Sequence, residues 1–132
     1  MMNFFSKIFK GSLFSPPDVI VNSLNNRFKD VINIEWNKNG DFYEAIFYKD
    51  NIEYIANFDL DGVLVEYKMF LPEGILPEKI KSTLNSKGET MNAVMINKGS
   101  SVTYETIYRD KELIRYLIVF NELGGIIEEK VL

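Results

Sequence analysis

Histidine and cysteine are both missing from this chain of 132 residues. Their absence removes disulfides, zinc sites of the usual ligand types, Ser-His-Asp and Cys-His catalysis and imidazole acid/base chemistry. Any enzymatic activity is thereby confined to carboxylate or magnesium chemistry. Long apolar runs are lacking too, and no stretch approaches the ~20 residues of a transmembrane helix. Positive charge is in deficit, with 15 Lys and Arg against 19 Asp and Glu and a net charge of −4. That balance is wrong for a phosphate-backbone binder, so nucleic acid is not an expected partner. What is present describes one soluble globular domain able to bury a core: 46% hydrophobic and 26% charged residues. Ten Phe and seven Tyr suit pleated surfaces that carry broad rings, so strand is expected to outweigh helix.

The opening segment, MMNFFSKIFKGSLFSPPD, has Lys7 and Lys10 among its apolar residues. They interrupt any signal-peptide core, which makes the cytoplasm the default expectation. Phe4, Phe5, Ile8 and Phe9 would share one side of a short helix. The expected role of residues 1–15 is a flap or tail folded on its own domain, a membrane-surface anchor being the alternative.

Two stretches of the chain match each other. Pro17, Ile20 and Leu24 meet Pro77, Ile80 and Leu84, and Tyr43, Glu44 and Ile46 meet Tyr104, Glu105 and Ile107. Ile52, Tyr54, Phe58 and Gly62 meet Ile114, Tyr116, Phe120 and Gly124. The offset between them grows only between segments, as loop insertions would make it. Each stretch opens with proline beside a spacing-four apolar pattern, which reads as an amphipathic helix. Alternating segments separated by turn chemistry such as KNGD, KDN and DLDG follow. The expected fold is α+β: two tandem repeats, each an N-terminal helix packed on a four-stranded antiparallel meander. Repeat one would span residues 16–70 and repeat two residues 76–132, with a Pro- and Gly-bearing linker at 71–75, all in one compact domain.

Alternation assigns the faces. Tyr43, Ala45, Phe47, Tyr54, Ala56 and Phe58 are expected beneath the first helix, and Tyr104, Thr106, Tyr108, Tyr116, Ile118 and Phe120 beneath the second. The opposite side is mixed where a solvated face would be polar, which suggests that something covers it. The candidate partner-binding residues lie there: Glu44, Ile46, Tyr48, Ile55, Asn57, Ile107, Arg109, Arg115, Leu117 and Val119.

A further set of residues falls in a telling order: Pro17, Ile34 and Trp36, then Tyr43, Glu44, Ala45 and Phe47, then Phe58, Asp59, Asp61 and Gly62, then Leu76 and Pro77. This order, over roughly residues 16 to 132, resembles the PepSY-like family with the beta-lactamase-inhibitor-like fold. The resemblance implies helix-plus-sheet repeats whose concave sheet, in inhibitors of this fold, grips a partner enzyme. It also implies an exported, periplasmic location, since members of the family are largely exported. One departure is Ile96, which stands where the matching stretch has Trp36.

FDLDGVLVE, residues 58 to 66, also looks like the opening of haloacid-dehalogenase-type phosphatases, with Asp59 as nucleophile and Asp61 as acid/base on magnesium. Against this, the second stretch reads FNELGG at the same place, and Asn121 cannot attack phosphorus. A hairpin turn is the expected role of the motif. Trp36, in phase with Ile34, is expected as a core anchor. The expected function is therefore a non-enzymatic binding module, inhibitor-like in presenting a curved sheet to a protein or peptide, with no cofactor. A self-associating homodimer using the same face is the alternative, and a magnesium-dependent phosphatase ranks third.

Overall fold

The structure is a computed structural model that describes residues 14–72 and 74–132. The expected flap, with Phe4, Phe5, Ile8 and Phe9, lies outside the described residues. The chain divides into two compact units, Met1–Tyr67 and Lys68–Leu132.

In the first unit, α1 (Asp18–Arg27) starts directly after Pro17, whose carbonyl accepts from the Ile20 and Val21 amides. Proline fits there because a residue flanking the first turn has no amide to place in the helix. Asp18 in the first turn and Arg27 in the last oppose the helix dipole. β1 (Ile32–Asn39), β2 (Phe42–Lys49) and β3 (Ile52–Asp59) pair antiparallel in sequence, and β4 (Leu64–Phe70) runs across the boundary between the units. Tyr43, Ala45, Phe47, Tyr54, Ala56 and Phe58 are all buried, as alternation expects, with Ile20, Leu24 and Phe28 of the helix segment. Phe28 is the hub: its ring lies 5.1 Å from Phe47, 5.7 Å from Tyr54 and 5.4 Å from Tyr67.

The second unit is built from α2 (Glu78–Lys87), β5 (Glu89–Asn97), β6 (Val102–Arg109), β7 (Arg115–Asn121) and β8 (Ile126–Val131). Its core joins Leu76, Ile80, Leu84, Ala93, Tyr108, Ile118 and Phe120. Thr106 is fully buried among them, which is tolerable because its hydroxyl donates to the Ile118 carbonyl at 2.9 Å. Of the six residues expected beneath α2, Tyr104 and Tyr116 are only half-buried.

Strand outweighs helix, but the expected pair of tandem helix-plus-four-strand repeats is corrected. The eight strands succeed one another from β1 to β8 in one antiparallel sheet. A sequence match cannot see which strand edges pair, and β4 carries no local signal that marks it as the end of a sheet. The register also breaks the expected equivalences. β1 is bulged between Ile32 and Glu35, where Asn33 takes φ 56°, whereas β5 is bulged between Thr90 and Asn92. One extra residue turns all that follows to the other side of the sheet. Trp36 pairs with Ala45 on the helix side, the register position that Ala93 holds opposite Thr106 in the second unit, while Ile96, also buried, pairs with Thr103 on the opposite side. Trp36 packs its ring 6.1 Å from Phe58, whereas Ile34, inside the irregular stretch between Ile32 and Glu35, is exposed.

Candidate functional site

The Asp-Leu-Asp-Gly motif closes β3 as a turn. Asp59 Oδ1 accepts from the amides of Asp61 and Val63, both at 2.9 Å, and the Asp59 and Gly62 amides close the turn through backbone carbonyls. Asn121 does the same after β7, its Oδ1 accepting from Leu123 and Gly125 at 3.0 and 2.8 Å. A third copy, not noticed in the sequence, follows β6: Asp110 Oδ1 accepts from Glu112 and Ile114 at 2.9 and 3.0 Å. In all three the fourth residue has a left-handed backbone, Gly62 at φ 89°, Gly124 at 91° and Leu113 at 65°. The oxygen expected to attack phosphorus in the phosphatase reading is thus an acceptor for two turn amides, a task that an aspartate and an asparagine share elsewhere in the chain.

The mixed side of the sheet is the remaining candidate, and each unit holds part of it. In the first unit Glu44 pairs with Asn57, Ile46 with Ile55, and Tyr48 with Glu53. Asn37 reaches Glu44 Oε1 at 3.5 Å through Nδ2, while its Oδ1 is buried with no partner. Tyr48 is exposed and its hydroxyl donates to Glu53 Oε2 at 3.5 Å.

In the second unit the register sorts the candidates into rows across β5, β6, β7 and β8. One row is Val94, Glu105, Val119 and Glu128; the next is Asn92, Ile107, Leu117 and Lys130; a third holds Glu89, Arg109 and Arg115. Ile107, Leu117 and Val119 are half-buried, not fully wet as their apolar character on an open face had implied. Ile107 and Leu117 line the side of a recess of about 340 Å³ whose walls also include Phe70, Met91, Val94 and Glu105. Met91 and Val94 escaped the sequence reading because the β5 bulge at Met91 resets which residues share that side, and Phe70 ends β4, a strand from which no candidate was drawn. Arg109 and Arg115 stand directly opposite each other, an arrangement that costs free energy unless charge is supplied nearby. Glu89 supplies it to Arg109 at 2.9 Å, and Arg115 has no ion-pair partner among the described residues.

On the helix side of the same unit, the Tyr108 hydroxyl donates to Glu129 Oε2 at 2.6 Å, and Lys87 Nζ lies 3.2 Å from that oxygen. Burial, then the bond to Glu129, drives the Tyr108 hydroxyl well above the ordinary tyrosine range. The same bond, aided by Lys87, holds the Glu129 carboxyl below the ordinary glutamate range against a smaller opposing effect of burial. This set of residues pins β8 to the helix.

The sequence matches no family model and no curated protein. Its fold is similar to solved structures. A Bacteroides fragilis protein described as BLIP-like, that is, like beta-lactamase inhibitory protein, superposes with a TM-score of 0.76 at 18% identity, over 90% of this chain and 88% of that one. A DUF2874 family protein from Bacteroides uniformis gives 0.74 at 18%, over 89% and 90%. A Bacteroides eggerthii protein described as a periplasmic candidate gives 0.75 at 15%, over 89% and 90%. The BLIP-like part of the resemblance thus stands as the fold; none of these structures is described as PepSY-like.

Proposed function

We propose that the chain is a non-enzymatic binding protein that presents the mixed side of its sheet in the second unit to a protein or peptide partner. The observation that carries this reading is the recess beside Ile107 and Leu117: an apolar hollow on the sheet side away from the helix, edged by Glu105 and flanked by the Arg109 and Arg115 pair. A hollow of this kind takes an aliphatic or aromatic anchor, and the charges at its rim set the orientation of what binds. The BLIP-like fold supports the reading at the level of architecture. For location, the default to the cytoplasm finds no support among the structural neighbours, and the description of the Bacteroides eggerthii protein favours an exported protein that meets its partner outside the cytoplasm.

The test is paired capture. Wild type and Ile107→Asp are immobilised at equal density and exposed to the same extract, after circular dichroism and urea unfolding establish that both fold. An aspartate buried against a partner costs several kcal/mol, so a genuine partner is retained by wild type and lost by the variant. A protein captured equally by both, or a variant that no longer folds, refutes this face as the binding surface.

A further inference from the structure

β8 occupies an end of the strand order and has one neighbour, β7, among the described residues. All its residues are exposed, and its apolar ones heavily so: Ile126 50%, Ile127 57% and Val131 62%. The backbone alternation is set by the Leu132 amide, which donates to the Arg115 carbonyl at 2.9 Å. Counting back along the Tyr116–Val131 register, Lys130 and Glu128 bond to β7, so the N–H and C=O groups of Glu129 and Val131 turn outward. The bulge of this pair is on β8 itself, where Ile127 is the extra residue between Glu128, opposite Val119, and Ile126, opposite Phe120; the stretch from Glu128 onwards is regular.

We infer that this edge pairs antiparallel with β8 of a second copy, about a twofold axis that sets Glu129 opposite Glu129. Two features of the strand select this register. The outward groups of Glu129 then bond to their own counterparts, as an antiparallel hydrogen-bonded pair requires. Glu128 and Lys130, which share the other face and lie 3.8 Å apart within one chain, fall opposite each other across the axis, Glu128 to Lys130 and Lys130 to Glu128. The paired run is short, Glu128–Lys130 of each copy, because the bulge at Ile127 ends it on either side. A shift of two residues in either direction separates the charges. The two Glu129 carboxylates come onto one face, but each already has Lys87 and Tyr108 as partners. The inferred contact is isologous, uses an edge and not the recess, and stands independently of the binding proposal.

Sedimentation of the full chain from micromolar to several hundred micromolar tests it. A monomer–dimer equilibrium is expected. Glu128→Lys places lysine against lysine at two points and weakens dimerisation by about tenfold, and the double variant Glu128→Lys/Lys130→Glu restores it. Val131→Pro removes an outward amide that β7 does not use, a change edge strands accept, and abolishes the dimer in a chain that keeps its circular dichroism spectrum. A chain that stays monomeric throughout, a double variant no better than Glu128→Lys, or a dimer indifferent to these changes overturns the inference.

Discussion

Leu113 is the residue whose conformation its chemistry suits least. A left-handed backbone costs a leucine about 1–2 kcal/mol, and its side chain, 69% exposed, recovers little of that by packing. Glycine holds the same position after β3 and after β7. Leu113→Gly is therefore expected to stabilise the protein, by about 0.5–1 kcal/mol once the greater freedom of glycine in the unfolded chain is subtracted; the urea midpoint reports it. Tyr108 and Glu129 make a second residue-scale prediction through pH. The lowered Glu129 pKa stabilises the fold above the ordinary glutamate range, and that contribution is lost as pH falls through the folded value. The raised Tyr108 pKa acts at the other end: its contribution is complete below about pH 10 and is lost as pH rises beyond it. Tyr108→Phe should cost about 1–2 kcal/mol at pH 7, and the difference from wild type should shrink as pH falls below the ordinary glutamate range and Glu129 becomes protonated. Unfolding curves across this range check the sign.

The turns show how far an element could be foreseen. Asp59 and Asn121 were legible as one device because both precede a glycine at the same distance, and the hairpin role follows from that pair. Asp110 was not, because Leu113 hides the glycine signature while the backbone adopts the glycine conformation regardless. Since the accepting oxygen matters and the charge does not, Asp59→Asn should leave stability within about 0.5 kcal/mol, whereas Asp59→Ala strands two turn amides and costs about 1–2 kcal/mol. The helices were legible from proline followed by apolar residues four apart. Their buried partners on β2, β3, β6 and β7 were legible from plain alternation, which holds wherever a strand is unbroken. Alternation fails at the bulges, where Ile34 is exposed although it lies two residues from Trp36, and the equivalence of Trp36 with Ile96 fails because Ala93 holds the matching register position.

At the scale of the whole molecule, the sequence match between the two halves of the chain suggested separate meanders, because matching residues says nothing of which edges hydrogen-bond. The candidate face was legible in β2, β3, β6 and β7 and invisible in β5, where the Met91 bulge brings Met91 and Val94 to the recess. A sheet whose strands run in sequence order has an open edge at each end, and open edges can propagate into fibres. Here the ends differ. The bulge at Asn33, with its left-handed backbone, interrupts the outer rim of β1, while the rim of β8 is regular only over a short run. Where two rims of the β8 kind meet about a twofold axis, each occupies the other, so the inferred contact closes as a pair and does not open into a filament.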